Sequence, residues 1–199
     1  MKLKVCGVSD AEFALAAARQ GVDYLGFIFE PSSPRFVAVG KAAEISAALS
    51  AASCRVRLVG VFVMQSVREI TAAMRAARLD VVQLHRRAAP EDVAALRGEG
   101  FEVWTLAGGA PGDGVLFDSS HGDGETAFRR GPYLSIVAGG ISAANVGDAA
   151  ALGPNVIDVN GSLETAPGRK DVARLHEFLG AFRLAARRFY PYPTFSKPQ

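Results

Sequence analysis

Two residues of this 199-residue chain stand where a proton could be moved. Cys6 closes the apolar run that begins the chain, with Gly7 behind it, and Asp118 closes another, Val115-Leu116-Phe117. A thiolate is a base and a carboxylic acid a proton donor, so the two facing one substrate would supply both halves of acid–base catalysis. Taken singly, Cys6 reads as a buried small hydrophobe and Asp118 as a cap for the loop behind it. Other candidates also sit just past apolar runs. Arg35 ends a proline-bounded loop, Glu30-Pro31-Ser32-Ser33-Pro34-Arg35, and its fork of donors suits a substrate carboxylate. Gln83 and His85, two apart on a strand, share a face, although His85 reads equally well as a structural histidine. Gly139-Gly140, Asp158 and Asn160-Gly161-Ser162 complete the set.

What could bring such residues together is a parallel sheet, in which strand ends gather at one face. Strands are expected over residues 2–8, 23–29, 56–63, 80–85, 102–106, 115–118, 134–138 and 156–159. Helices are expected between most of them, over 10–19 (with Ser9 and Glu12 as a capping box), 39–49, 66–77, 90–98, 126–130 and 143–151 with Ser142 as cap. A long helix over 170–188 closes the pattern, and a tail rich in aromatics and proline, 189–199, is expected to be partly disordered. Only the glycine-rich residues 107–114 separate the fifth and sixth strands, where a parallel connection ordinarily needs about a dozen. Either these strands begin and end differently or a short loop spans the gap.

Eight strands alternating with about seven helices favour a single (β/α)8 barrel over residues 1–188. An open doubly wound sheet would usually show a GxGxxG or GxxxxGK[ST] phosphate loop, and neither is present. In such barrels the loops after strands seven and eight often hold a phosphate on backbone N–H groups. Gly139, Gly140 and Gly161-Ser162 stand at those two places, though each glycine could also serve a tight turn.

Composition narrows the classes. With 22 Lys and Arg against 20 Asp and Glu, dispersed along the chain, the net charge of +2 argues against nucleic-acid binding and leaves an anionic small ligand open. Two cysteines without a CxxC pair or a Cys/His cluster argue against a disulfide scaffold and a zinc site. Cys54, ahead of the third strand, belongs to the opposite face of the barrel. No signal peptide pattern and no long apolar span appear, so the expectation is a cytoplasmic protein that does not enter membranes.

A series of short motifs lies in order from end to end: Lys4-Val5-Cys6-Gly7-Val8, Gly26-Phe27-Ile28-Phe29, Pro31 to Arg35, Gly60-Val61-Phe62-Val63, Val82-Gln83-Leu84-His85 and Phe117-Asp118. The series continues in Ala138-Gly139-Gly140-Ile141, Asn145-Val146, Asp158 and Pro167-Gly168-Arg169-Lys170-Asp171. Through these motifs the chain shows a resemblance to the phosphoribosylanthranilate isomerases of tryptophan biosynthesis. The resemblance implies a compact TIM barrel whose fifth helix is replaced by a loop, and an Amadori rearrangement of N-(5-phosphoribosyl)anthranilate to the 1-amino-1-deoxyribulose 5-phosphate, with no cofactor and no metal. It further implies Asp118 as general acid at the ring oxygen, Cys6 as base at C2, Arg35 near the anthranilate, Asp158 near the sugar, and phosphate held by Gly139, Gly140, Asn160, Gly161 and Ser162. The implied partner is a small anionic sugar phosphate, and a monomer is expected.

A free thiol, with a pKa of about 8.5, is only a few per cent thiolate at neutral pH. A positive field from Lys4, two residues back on the same strand face, is therefore expected to lower the pKa of Cys6. Three stretches depart from the family pattern: Arg86-Arg87 follow His85, His121-Gly122-Asp123-Gly124-Glu125 is short and acidic, and Asn160-Gly161-Ser162 moves the glycine of the phosphate loop by one position. These leave two alternatives: a related isomerase of aminoaldose phosphates, or a catalytically silent paralogue that only binds sugar phosphate.

Overall fold

The computed structural model describes residues 1–119, 128 and 131–190. Eight parallel strands close into a barrel in sequence order: β1 Lys2–Val5, β2 Tyr24–Ile28, β3 Arg57–Phe62, β4 Val81–Leu84, β5 Glu102–Leu106, β6 Gly114–Asp118, β7 Leu134–Ala138 and β8 Val156–Val159, which returns to β1. The helices α1 Ala11–Arg19, α2 Val39–Ala51, α3 Val67–Ala77, α4 Pro90–Gly98 and α5 Val146–Ala151 lie between strands. The expected (β/α)8 architecture is therefore present. After β8 the chain makes a short 3-10 turn, Gly161–Leu163, and a small antiparallel ribbon of β9 Glu164–Ala166 and β10 Arg169–Lys170, before helix α6 Val172–Phe189.

Strand alternation divides the apolar residues between two cores. One face packs outward under the helices, with Leu3, Val5, Leu25, Phe27, Leu84 and Ile157 among its buried members. The other fills the barrel with Tyr24, Val59, Val61, Val81, Trp104, Leu116, Ile136 and Val156. Tyr24 and Trp104 meet edge to face at 4.9 Å between ring centroids, and the same alternation carries Cys6 and Ala138 into this inner cluster.

The fifth connection is a loop. A five-residue strand rises about 17 Å and the seven residues 107–113 can reach about 24 Å, so a nearly direct return suffices. It is held at several points. Gly112 N–H donates to Thr105 Oγ1 at 3.0 Å, Val103 N–H to Asp113 Oδ2 at 2.8 Å, and Ala110 N–H to the Ala88 carbonyl at 2.9 Å, which ties the loop to the segment behind His85.

Several boundaries differ from expectation, each for a local reason. Asp10, not Ser9, caps α1: its carboxylate accepts from Phe13 N–H at 2.7 Å, while the Ser9 hydroxyl donates to the Gly168 carbonyl. The capping box forms instead at Ser66 and Glu69, at the start of α3. Residues 142–145 are a turn, in which Asn145 Oδ1 accepts from Ser142 N–H at 2.8 Å, so α5 begins at Val146. The last helix starts at Val172 with Asp171 as its cap, because Lys170 is still part of the ribbon. Phe189 ends that helix and so belongs to the barrel body. The short helix expected over 126–130 and the tail beyond residue 190 lie outside the described residues, apart from Phe128.

Asp113 anchors the short loop with one backbone bond and a fork from Arg97 at 2.7 and 3.1 Å. The Arg97 pair is largely solvated and adds little. Asp113→Ala is expected to lower stability by about 1 kcal/mol, mostly through the lost Val103 bond, read as a shift in the urea unfolding midpoint.

Candidate active site

Where the strands end, the barrel opens into a cavity of about 480 Å³, within the usual range for small-ligand sites. Cys6, Arg35, Gln83, His85, Asp118, Gly139, Gly140, Asp158, Asn160, Gly161 and Ser162 all line it. The residues singled out from sequence are thus brought to one place. Cys54 lies outside it, ahead of β3.

Cys6 is 6% exposed, and its N–H donates to the Val159 carbonyl at 2.9 Å, which extends the β1–β8 pairing one residue past β1. Gly26 gives its thiol room: a Cβ there would stand 2.9 Å from Cys6 Sγ and 3.2 Å from Lys4 Cε. Below the thiol, Lys4 has no exposed surface and its Nζ donates to Asp158 Oδ2 at 2.6 Å. The two residues face each other in register across β1 and β8. Burial alone would lower the Lys4 pKa, but the charges of Asp158 and Cys6 and the hydrogen bonds to them together outweigh it and hold the ammonium protonated.

The expected effect of Lys4 on Cys6 is corrected by this setting. Burial pushes the thiol up from its ordinary value, and the opposing pull of Lys4 is too small to reverse it. Lys4 acts in the expected direction, but it is paired with a carboxylate and the pocket is dry enough that desolvation dominates.

Asp118 ends β6 inside the mouth, 8% exposed, with its Oδ2 3.8 Å from His85 Nε2. Gly139 beside it is required by space and by backbone. Its φ is +93°, and a Cβ would lie 2.7 Å from Asp118 Oδ1 and 2.5 Å from Ser119 Oγ. Ser162 Oγ donates to the Ile141 carbonyl at 2.7 Å and binds the turn after β8 to the loop after β7. Two buried acceptors, Gln83 Oε1 and Asp158 Oδ1, have no hydrogen-bond partner among the described residues.

Arg35 lines the cavity, but one side of its guanidinium is engaged: Nε and Nη2 donate to the two oxygens of Glu164, each at 2.8 Å. Glu164 and Lys170 were not singled out from sequence, since nothing local marks a carboxylate 129 residues away as the partner of a loop arginine. Of the two arginines after His85, Arg86 pairs with Asp92 in the first turn of α4 at 2.7 Å.

A family model described as N-(5'phosphoribosyl)anthranilate (PRA) isomerase matches residues 3–181. The chain belongs to the phosphoribosylanthranilate isomerase family. Among its relatives, the N-(5'-phosphoribosyl)anthranilate isomerase of Geobacter metallireducens is 32% identical, covering 90% of this chain and 97% of the relative. That of Pseudomonas putida strain KT2440 is 37% identical, covering 93% and 98%. The phosphoribosyl anthranilate isomerase structure from Thermus thermophilus superposes with a TM-score of 0.80 at 32% identity over 92% of this chain and 99% of its own. A further solved phosphoribosyl anthranilate isomerase, 26% identical with a TM-score of 0.77, covers 92% of this chain and 98% of its own; it is in complex with reduced 1-(o-carboxyphenylamino)-1-deoxyribulose 5-phosphate. The loop in place of a fifth helix, implied by the resemblance to these isomerases, is the one seen between β5 and β6.

Lys4→Met removes the cation that pulls the Cys6 pKa down and leaves Asp158 without it, and both changes act upward on the thiol. Titration of the thiolate absorbance is expected to show a Cys6 pKa higher than in the unmodified protein, and an unchanged or lower one would remove the pull assigned to Lys4.

Proposed function

We propose that this isomerase carries out the Amadori rearrangement of N-(5-phosphoribosyl)anthranilate with Cys6 and Asp118 as its acid–base pair. The observation that carries this reading is that a thiol and a carboxyl not tied up by the Lys4 ion pair open at strand ends onto one cavity flanked by two glycine turns and an arginine. The positive-φ pair Gly139 and Gly140 and the turn 160–162 offer backbone N–H groups to the phosphate. Arg35 faces the anthranilate carboxylate, and the unpartnered Gln83 Oε1 and Asp158 Oδ1 accept from sugar hydroxyls.

The steps follow from these placements. Asp118 donates a proton to the furanose ring oxygen as the C1–O bond breaks, and the anilino nitrogen lone pair forms the C1=N bond of an iminium. Cys6, as thiolate, removes the proton from C2, and the electron pair moves through C1 onto nitrogen to give the enolamine. Loss of the C2 hydroxyl proton and gain of a proton at C1 yield the ketone. The reaction is a net isomerisation, with every proton removed returned elsewhere.

The reactive form has one proton between the two groups, held by the carboxyl and not by the thiol. Its share falls once the second proton leaves. Because burial pushes the Cys6 thiol up from its ordinary value, kcat/KM is expected to show no fall through neutral pH and to drop only on a basic limb above the ordinary thiol range. A slope of one through pH 7 to 8 would remove the requirement for a protonated Asp118.

Direct turnover decides the roles. Following the fluorescence loss of enzymatically generated phosphoribosylanthranilate, Cys6→Ser and Asp118→Asn are each expected to lower kcat by about 10² to 10⁴. Full activity in either variant would remove the role given to that residue, and no turnover by the unmodified protein would favour a silent sugar-phosphate binder.

A further inference from the structure

Behind Arg35 lies an ion network that no step of the rearrangement uses. Glu164 accepts both Arg35 bonds on its two oxygens, and its Oε1 also accepts from Lys170 Nζ at 2.7 Å. The same ammonium donates to the Asn160 carbonyl at 3.0 Å and to Asn160 Oδ1 at 2.7 Å, so its three hydrogens all have acceptors. The Lys170 and Glu164 side chains are only 2% and 4% exposed, whereas that of Arg35 is 27% exposed. Burial alone would push the Glu164 carboxyl up, but the hydrogen bonds from Arg35 and Lys170 outweigh it and hold the group ionised.

The surrounding backbone is shaped to admit this cluster. Gly168, at φ +81°, turns the β9–β10 ribbon so closely onto the loop after β2 that a Cβ would stand 2.5 Å from the Pro34 carbonyl. Gly7, at φ +70°, leaves space where a Cβ would meet Arg35 Cδ at 2.9 Å and Asn160 Oδ1 at 3.0 Å. The loops after β1, β2 and β8 therefore converge on Lys170 and its partners.

Two consequences follow for binding. Glu164 occupies the Nε/Nη2 side of the Arg35 guanidinium, and Nη1 has no partner among the described residues, so the Nη1/Nη2 edge is the one left for a second carboxylate. The charges also sum differently with and without the lysine. Arg35 and Glu164 alone cancel, and Lys170 restores one net positive charge to the cluster.

We propose that Lys170 is a positioning residue that couples the two anion-holding ends of the site: it orients Arg35 through Glu164 and the turn 160–162 through Asn160. The proposal rests on the reading of those ends as carboxylate and phosphate sites. Lys170 does not touch the reacting atoms, so its loss acts on ligand affinity and not on the proton transfers.

The test compares two probes by calorimetry, ribose 5-phosphate with one anionic end and reduced 1-(o-carboxyphenylamino)-1-deoxyribulose 5-phosphate with both, alongside kcat and KM. Lys170→Met is expected to weaken ribose 5-phosphate about tenfold and the two-ended analogue about a hundredfold, raising KM while kcat stays within about threefold. Glu164→Gln is expected to weaken the analogue about tenfold and ribose 5-phosphate less than about twofold. Equal losses for both probes in Lys170→Met, or a fall in kcat with both affinities kept, would overturn the coupling. Should the methionine variant not fold, Lys170→Gln carries the same comparison. Unmodified protein that binds the two probes equally would instead remove the carboxylate reading of Arg35, an outcome separable from any behaviour of the variants.

Discussion

A lysine with no exposed surface joins the first strand of the barrel to the last. Lys4 and Asp158 face each other in register, 2.6 Å apart, where β8 returns to β1 and closes the sheet. Removing either partner of such a buried pair typically costs about 3 to 5 kcal/mol, since the remaining charge has no water to turn to. The pair also underlies the cavity, with Asp158 in its lining and Lys4 buried behind it. Cys6 stands one strand repeat above Lys4, and the unpartnered Asp158 Oδ1 faces the same cavity. Barrel closure and the electrostatic setting of the thiol are thus one interaction.

That coupling explains why the thiol is not a low-pKa nucleophile. A lysine near a cysteine in water would favour the thiolate, but here the cation is shared with a carboxylate and the thiol is almost wholly buried. Burial therefore leaves Cys6 mostly in its thiol form at neutral pH, with Lys4 limiting how far the balance shifts. The walls of the cavity are set by absent side chains. Gly26, Gly139 and Gly7 each leave a gap of under 3 Å between a would-be Cβ and a functional atom or the arginine stem. These glycines define where Cys6, Asp118 and Arg35 can sit.

Much of the fold was legible along the chain because each strand and its following helix are local patterns. Strands buried on both faces read as continuous apolar runs, and β7 and β8 begin and end where those runs do. Which residues would line the cavity was legible for a related reason, since a parallel barrel gathers strand ends at one face and a residue's place in its strand is then its address. The misplaced boundaries fall where polar side chains had two choices, as with Ser9 and Asp10, or where an element is too short for any period to show, as with β9 and β10.

By itself the sequence determined the alternation of elements, the family, and which polar residues stand at strand ends, because these depend on near neighbours and on order. Tertiary structure alone decided who partners whom. Arg35 with Glu164, Lys170 with Asn160, and Lys4 with Asp158 are joined across loops or across the closure of the barrel, two of these pairs over 129 and 154 residues of chain. It also decided the direction of the Cys6 pKa, which turns on the balance of desolvation against a cation whose charge is already shared, and that balance exists only once the barrel has excluded water.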